Sequence, residues 1–329
     1  MNKAGPIDSI AEAIGNTPLL RLSRMGAPAG HDLLAKCEFL NPGGSVKDRI
    51  AFHMVEKAEH EGRLKPGQLI VEATGGNTGI GLAMAANLKG YKVLCVMTEK
   101  VGKKKVGLMK ILGVETLVVP GGKKIDDPEH YINKAKKIAR DRNGWFAGQF
   151  ENYDNSEAHY QTTGPEIWEQ TGGKVDVLVA GIGTGGTICG AGKYLKEKKP
   201  SVQLVLADPE GSLLTGWQSG RDVEDHSYLV EGIGGDFIPK IVDLSVIDRS
   251  ILVSDKVSIQ TAYELARKES IFVGGSAGCI VAATLQYLQE AKTPGLTAVA
   301  ILPGTGHMYT DTIYDRQWLA ARGIESVAD

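Results

Sequence analysis

The sequence predicts an α/β protein with two lobes, each built from strands that alternate with helices. Three observations lead to this fold class. The chain has 329 residues, which at roughly 150 residues per domain suggests two domains. Short apolar runs of strand type are followed by glycine-containing loops and helical stretches, which is the order of a parallel crossover unit. This order begins again near residue 150, without an internal repeat of fixed period.

The first half of the chain predicts a helix followed by crossover units. Apolar residues recur at three- and four-residue spacing over 45–62, which predicts an amphipathic helix. Ser45 is its predicted N-cap, Asp48 completes an acidic capping box and Gly62 is its predicted stop. Strands are predicted at 68–74, 91–97 and 114–121, and helices at 80–90 and 103–113. The stretch 123–143 predicts a solvated helix because acidic residues are interleaved with its lysines.

The second half repeats the alternation of strands and helices. Strands are predicted at 175–181, 202–211, 271–275 and 297–306. Helices are predicted at 188–200, 258–270 and 276–291, the last with Ser276 as its cap. Because ligands bind at the carboxyl ends of such strands, the glycine-rich loops between strands and helices are the places to search for a site.

Composition and charge exclude several classes of function. The formal net charge is -2, so a nucleic acid or an anionic membrane surface is not expected as a partner. No run approaches the ~20 apolar residues of a membrane span, and the N-terminus lacks the pattern of a secretion signal. The cysteines at 37, 95, 189 and 279 form no C-x-x-C pair, and the histidines have no metal-site spacing. We therefore expect a cytoplasmic protein without a metal.

Lys47 lies in the first turn of the predicted helix 45–62, in the stretch "NPGGSVKDR". The unpaired amides of a helix N-terminus carry partial positive charge, which disfavours an ammonium group there. Two interpretations stay open at this point. Lys47 is either a solvated surface lysine, or an amine with a lowered pKa that is suited to forming a Schiff base with a carbonyl.

The loop "GIGTGG" at 181–186 follows a predicted strand and allows two binding functions. Gly181, Gly183 and Gly186 match the dinucleotide fingerprint, and Asp208 ends the next strand where a ribose-binding acid belongs. That match would indicate a nicotinamide-dependent dehydrogenase. Against it, Thr184 and Thr187 add hydroxyl donors that suit a terminal phosphate dianion better than a bridging pyrophosphate. A tight turn that needs glycines for its backbone alone is the third interpretation.

Two further loops carry polar side chains at helix starts. In "TGGNTG" at 74–79, Thr74, Asn77 and Thr78 offer hydrogen bonds beside several amides, a set that holds a carboxylate or simply caps a helix. In "GGSAG" at 274–278, Ser276 is placed at a helix start. A cofactor with both a phosphate and an aldehyde would use all three loops together with the amine, which indicates pyridoxal 5'-phosphate.

The motifs "IGNTPLLRL", "NPGGSVKDR", "TGGNTGIGLA", "GTGGT", "DPEGS", "VEGIGGDFIP" and "GGSAG" occur in this order. With them the chain resembles the cystathionine β-synthase and cysteine synthase family of pyridoxal phosphate enzymes over nearly its whole length. The resemblance implies the fold-type-II architecture, which is tryptophan synthase β-like: two three-layer α/β lobes with the cofactor between them. It implies a larger lobe of residues 1–45 and 152–329, a smaller mobile lobe of 46–151 with the substrate carboxylate loop, and a homodimer.

The resemblance also implies a role for individual residues. Lys47 would be the catalytic Schiff-base lysine, Asn77 would bind the pyridine 3'-oxygen and Ser276 would face the pyridine nitrogen. The residues implied to cradle the phosphate are Gly183, Thr184, Gly185, Gly186 and Thr187. Those implied to surround the substrate carboxylate are Thr74, Gly75, Gly76, Thr78 and Gln149.

The implied reaction is cystathionine β-synthase-like: β-replacement on a serine-type amino acid, L-serine or O-acetyl-L-serine, by a thiol or sulfide through an aminoacrylate intermediate. Two residues depart from the family pattern: Gly75 stands where serine is usual, and Phe150 follows Gln149 as in cysteine synthases, where cystathionine β-synthases tend to carry tyrosine. The alternatives are therefore a cysteine synthase, a specialised β-replacement or β-elimination enzyme, the NAD-dependent dehydrogenase, and a catalytically silent binding protein.

Overall fold

The computed structural model describes residues 5–99 and 101–324, and these residues form two compact units. The first unit comprises the described residues up to Ile14 together with those of Asn41–Ala158. The second comprises Gly15–Leu40 and the described residues from His159 onward. The outermost parts of the predicted larger lobe, residues 1–4 and 325–329, lie outside the described residues, as does residue 100 of the predicted smaller lobe.

The strands and helices of the described residues alternate along most of the chain. The strands are β1 (Leu19–Arg21), β2 (Asp32–Lys36), β3 (Leu69–Ala73), β4 (Lys92–Thr98), β5 (Glu115–Val119), β6 (Trp145–Phe146), β7 (Val177–Ala180), β8 (Gln203–Pro209), β9 (Arg249–Val253) and β10 (Thr297–Ile301). The helices are α1 (Lys47–His60), α2 (Asn77–Lys89), α3 (Lys103–Ile111), α4 (Tyr131–Asp141), α5 (Asp154–Gln161), α6 (Thr163–Gln170), α7 (Gly186–Lys198), α8 (Leu214–Ser219), α9 (Asp255–Glu269), α10 (Gly275–Glu290) and α11 (Arg316–Ala320).

The first unit is built on a parallel sheet with the strand order β5-β4-β3-β6. Four of the β3 residues and five of the β4 residues are buried, as is typical of parallel strands that are covered on both faces. The apolar face of α1 packs here through Ile50, Met54 and Val55, which are all fully buried. This packing fixes the start of α1, and with it Lys47, relative to the sheet.

The second unit is built on a sheet with the strand order β1-β2-β10-β7-β8-β9. Only the β1–β2 pair is antiparallel among the described strands of this sheet, and the other pairs are parallel. Helix α7 begins directly after the loop that follows β7, and α10 packs closely on α9. The closeness is seen at Gly278, where a Cβ atom would collide with the carbonyl oxygen of Ser258.

Most predicted strands and helices are confirmed, but several local predictions are wrong. The predicted strand 271–275 is not a strand, because only Val273 pairs, in an isolated bridge with Thr305. The lysine-rich stretch 123–143 is helical only from Tyr131 to Asp141. Ser45 and Ser276 are not the helix caps, since Val46 and Gly274 hold those positions.

Candidate active site

Lys47 is the first residue of α1, and the turn before it depends on two neighbouring side chains. The Ser45 hydroxyl accepts the Lys47 backbone N–H at 3.2 Å. Asp48 does not form the predicted capping box; its buried carboxylate accepts the backbone N–H of Gly43 at 2.5 Å instead. A Cβ atom on Gly43 would lie 2.5 Å from the nearer Asp48 oxygen. The glycine is therefore needed for this turn to close on Asp48.

The Lys47 amine is in the electrostatic environment that its proposed chemistry requires. Burial lowers the pKa of Lys47 from 10.5 to about 8, and the attraction of the Glu72 carboxylate opposes this shift without cancelling it. A lysine with such a pKa is partly unprotonated near neutral pH, so it is available as a nucleophile and as a base. This observation favours the reactive interpretation of Lys47 over the solvated one.

Glu72 is a charged residue inside β3 that the sequence analysis did not single out. It is fully buried, and burial raises its pKa from 4.5 to about 8 against the opposing effect of backbone hydrogen bonds and of Lys47. Its two oxygens accept the backbone N–H of Ala73 at 2.7 Å and that of Gln149 at 3.1 Å. A glutamate in the otherwise apolar strand "LIVEA" was the signal that could have found it.

Gln149 is held by hydrogen bonds to the loop 74–79. Its side-chain oxygen accepts the Thr78 hydroxyl at 2.5 Å, and its side-chain nitrogen donates to the Ala73 carbonyl at 3.1 Å. The backbone carbonyl of Gln149 accepts from the Asn155 side chain at 2.8 Å. The structure thus brings Thr78 and Gln149 into contact at the end of β3, directly before Thr74, and these bonds use one of the two N–H groups of the Gln149 amide.

Two glycines of the same loop are covered by side chains from the segment after β4. A Cβ atom on Gly75 would lie 2.5 Å from a Val101 methyl group, and one on Gly76 would lie 3.0 Å from the Lys105 side chain. Gly76 is buried and precedes Asn77, the half-buried first residue of α2. Packing therefore accounts for the glycine at position 75, where serine is usual in the family. A Val101 methyl group occupies the space that a serine side chain would need.

The second unit carries the predicted phosphate loop, whose glycines face the segment 232–242. Cβ atoms on Gly183 and Gly185 would collide with the Gly232 carbonyl and with Val242, and one on Gly181 would lie 2.5 Å from Ile233. The backbone N–H of Gly234 donates to Ile182 at 2.8 Å. The glycine pattern read as a ligand fingerprint is thus also required by loop-to-loop packing. Gly185 has a φ of 86° as N-cap of α7, which glycine tolerates best.

The threonines of this loop point to different surroundings. Thr184 is buried, and Thr187, in the first turn of α7, lies 3.2 Å from the imidazole Nε2 of His159. The Nδ1 atom of the same ring lies 2.9 Å from the Thr163 hydroxyl. The His159 side chain is fully buried. No sequence pattern connects His159 with Thr187, because 27 residues separate them and histidine occurs in no metal or triad pattern here.

Asp208, the residue on which the dehydrogenase alternative depends, is not placed to bind a ribose. Its side chain is fully buried, and one oxygen accepts both the backbone N–H and the hydroxyl of Thr215, at 2.9 and 2.8 Å. Burial raises the pKa of this carboxyl group. Asp208 therefore supports the turn from β8 into α8, and the dinucleotide interpretation loses its acidic partner.

Comparison with known proteins supplies the decisive observation. Residues 10–304 match the family model described as "Pyridoxal-phosphate dependent enzyme". The chain belongs to this family. Its cofactor is pyridoxal phosphate.

Similar proteins agree with this family. The cystathionine beta-synthase of Oryctolagus cuniculus is 42% identical over 97% of this chain and 58% of that protein. Cysteine synthase 1 of Emericella nidulans is 41% identical over 98% of this chain and 88% of that protein. The crystal structure of an O-acetylserine dependent cystathionine beta-synthase from Helicobacter pylori is 34% identical, with a TM-score of 0.88 over 94% of this chain and 100% of that chain. This chain thus spans little more than half the length of the rabbit relative.

The described residues fit the family's cofactor. The amine of Lys47 has the lowered pKa that condensation with an aldehyde requires. The glycines of 181–186 leave no room for side chains on the face toward 232–242, so the backbone amides at the start of α7 are held in fixed positions for an anion. Ser276, predicted to face the pyridine nitrogen, is a nearly buried hydroxyl in the first turn of α10. These donors match an aldehyde, a phosphate and a ring nitrogen.

Within residues 5–99 and 101–324, His, Cys, Asp and Glu side chains form no group of three or more that could hold a metal ion. Over the same residues, no helix combines the length and the apolar character that crossing a membrane demands.

Proposed function

We propose that this protein is a pyridoxal phosphate-dependent β-replacement enzyme that acts on a serine-type amino acid with a thiol or sulfide as nucleophile. The observation that carries the proposal is the Lys47 amine, whose pKa is lowered to about 8 at the start of α1 in a chain of this family. The similar proteins named cystathionine beta-synthase and cysteine synthase both favour this reaction class.

The proposed residue roles follow the predictions from the sequence. Lys47, Asn77, Ser276 and the phosphate loop Gly183–Thr187 would hold the cofactor. The bound cofactor supplies an aldehyde for the substrate amine and a ring that takes up the electrons released at Cα. Lys47 would remove the Cα proton and later return it, a role that suits an amine with a pKa near 8.

The substrate carboxylate would bind at the loop 74–79. The Gln149 amide offers its remaining N–H there, because its other hydrogen bonds join it to Thr78 and Ala73. The Thr74 hydroxyl, which accepts the backbone N–H of Gly76 at 3.3 Å, and the amide of Gly75 would supply further donors. We also propose that residues 46–151 form a smaller, mobile lobe, as the resemblance implies.

Among serine-type substrates, we propose O-acetyl-L-serine as the preferred one. Hydroxide is a poor leaving group and needs polar groups beside it, whereas acetate leaves without such help. Position 75 has no hydroxyl and is covered by the Val101 methyl group, and position 150 is phenylalanine. The O-acetylserine dependent enzyme from Helicobacter pylori, which is 34% identical, is consistent with this choice. A homodimer and a cytoplasmic location stay predictions from the resemblance.

Borohydride trapping tests the proposed attachment site. The protein is incubated with pyridoxal phosphate, reduced, digested and examined by mass spectrometry. We expect the cofactor on the peptide that contains Lys47, no label after Lys47→Ala, and normal labelling after Lys65→Ala, an exposed lysine. Label on another lysine would contradict the proposal.

Product assays then decide the substrate. L-serine and O-acetyl-L-serine are each supplied with sulfide or with homocysteine, and the amino-acid product is quantified. We expect faster product formation from O-acetyl-L-serine with at least one nucleophile. Faster turnover of L-serine would overturn the substrate preference while leaving the reaction class intact, and no product from either donor would overturn the reaction class.

A further inference from the structure

We propose that His159 is a positioning residue for the cofactor phosphate, because its Nε2–H donates to Thr187 and thereby turns the Thr187 hydroxyl proton toward the phosphate. This inference rests on the proposed function, since it takes Gly183–Thr187 as the phosphate site. It concerns a residue outside that loop, whose ring would act on the phosphate only through Thr187.

The position of His159 is fixed on both sides of its ring. The side chain is fully buried in the second unit. Its Nδ1 atom lies 2.9 Å from the hydroxyl of Thr163, the first residue of α6, and its Nε2 atom lies 3.2 Å from the hydroxyl of Thr187 in the first turn of α7. The ring therefore links the starts of two helices through two hydroxyl groups.

The distances alone allow two directions for this pair of hydrogen bonds. A neutral imidazole has one N–H donor and one acceptor nitrogen, and each threonine hydroxyl is able to donate one proton or to accept. In one direction Thr163 donates to Nδ1 and Nε2–H donates to Thr187. In the other direction, Nδ1–H donates to Thr163, and the Thr187 hydroxyl donates its only proton to Nε2.

A phosphate group distinguishes these two directions. The phosphate of the cofactor is an anion whose oxygens act as acceptors. If Thr187 donated to His159, its hydroxyl would present lone pairs to the phosphate, and the contact would be repulsive. If Nε2–H donates to Thr187, the Thr187 proton is free to form a charge-assisted hydrogen bond with the phosphate. Phosphate binding therefore requires a proton on Nε2.

Two amide substitutions separate the roles of the ring nitrogens. In His159→Gln the amide nitrogen reaches the position of Nε2 and retains the donor to Thr187. In His159→Asn the shorter side chain reaches only the position of Nδ1, near Thr163. We expect the dissociation constant for pyridoxal phosphate to rise about tenfold or more in the asparagine variant and less than about threefold in the glutamine variant, as for a hydrogen bond to a charged group.

Pyridoxal, which lacks the phosphate, is the control ligand. We expect both variants to bind pyridoxal as the unsubstituted protein does, because the hydrogen bond from His159 to Thr187 acts only on the phosphate. Thr187→Val should weaken pyridoxal phosphate binding, and adding His159→Asn to it should cause no further loss, since the second residue acts through the first. Nitrogen-15 spectra of the cofactor-bound protein should report a protonated Nε2 on His159.

Several results would overturn the inference. Equal losses of affinity for pyridoxal phosphate and for pyridoxal would show that His159 only supports the fold. Three results would each reject the action of His159 through Thr187. They are unchanged affinity for pyridoxal phosphate in His159→Asn, additive losses of affinity when it is combined with Thr187→Val, and an unprotonated Nε2 in the bound protein. Failure of the unsubstituted protein to bind pyridoxal phosphate is a separate result, because it would reject the proposed function itself.

Discussion

The carboxylate of Glu72 accepts the backbone N–H of Gln149 at 3.1 Å, although 76 residues lie between them in the chain. This bond connects the end of β3 to the segment after β6, and the Thr78–Gln149 side-chain bond connects the same two segments again. Glu72 also attracts the Lys47 ammonium. One buried carboxylate therefore holds Gln149 beside the loop 74–79 and also influences the pKa of Lys47.

Glu72→Gln should lower the pKa of Lys47 further. The Glu72 carboxylate favours the ammonium form and opposes the shift caused by burial, so its removal leaves burial with less opposition. Attachment of pyridoxal phosphate to the cofactor-free protein needs the free amine, and its rate should rise with pH through a midpoint near 8 in the unsubstituted protein. We expect that midpoint at a lower pH in the variant, measured by stopped-flow absorbance.

Glu61→Gln is the matched control for this shift, because it makes the same substitution at an exposed carboxylate just after the end of α1. Its midpoint should stay near that of the unsubstituted protein. An unchanged midpoint in Glu72→Gln would mean that Glu72 does not act on Lys47.

The contribution of Glu72 and Lys47 to the stability of the cofactor-free protein should have a minimum near pH 8. The folded-state pKa of Glu72 is raised from 4.5 to about 8, so the folded protein binds a proton that the unfolded chain has lost, and stability falls as pH rises between these values. The pKa of Lys47 is lowered from 10.5 to about 8, so between these values the unfolded chain binds more protons and stability rises again.

Denaturant unfolding from pH 5 to pH 10 would measure this contribution as the difference between the unsubstituted protein and Glu72→Gln. We expect the falling limb below pH 8 to be absent from the variant, since a glutamine has no proton to lose. A variant whose free energy of unfolding has the same pH dependence would contradict the coupling between burial and ionisation at Glu72.

The parts of the fold that the sequence predicted well are those whose physical cause is local. Buried parallel strands such as β3, β4 and β7 are continuous apolar runs, and the helices after them begin at glycine loops. β1, β2, β6 and β9 were not predicted. β1 and β6 have only three and two residues, and the short apolar runs of β2 and β9 lie among charged and polar residues. The predicted strand at 271–275 was wrong because β propensity alone does not supply a neighbouring strand.

The candidate site was predictable where one loop contains the whole pattern and not where distant segments meet. Gly183–Thr187 and Thr74–Thr78 are each recognisable from a few consecutive residues. Glu72 and His159 act through partners that are distant in sequence, namely Gln149 and Thr187, so only the folded structure reveals them. The covering of Gly75 by Val101 is of the same kind.

Gly75→Ser should destabilise the protein because of Val101. The new Cβ atom would lie 2.5 Å from a Val101 methyl group, and overpacking of this kind costs about 1–3 kcal/mol of unfolding free energy. Val101→Ala removes that methyl group, so the double variant should recover most of the loss. Denaturant unfolding of the two single variants and the double variant forms the cycle, and additive effects would contradict direct contact.

Gly185→Ala should lower the free energy of unfolding by more than a positive φ alone explains. Gly185 has a φ of 86°, and its Cβ position is occupied by Val242. Gly220, with a φ of 68° and no heavy atom within 4 Å of its Cβ position, has the same backbone requirement without the collision. Gly220→Ala should therefore lose about 1–2 kcal/mol of unfolding free energy for its left-handed backbone.

In Gly185→Ala the overpacking adds about 1–3 kcal/mol more. Because Gly185 caps α7 beside the phosphate loop, this variant should also bind pyridoxal phosphate more weakly, whereas Gly220→Ala should bind it normally. Equal losses of stability in the two variants would mean that the segment at 242 yields to the new methyl group. In that case the glycine at 185 would be required by backbone conformation and phosphate access, and not by packing between the two loops.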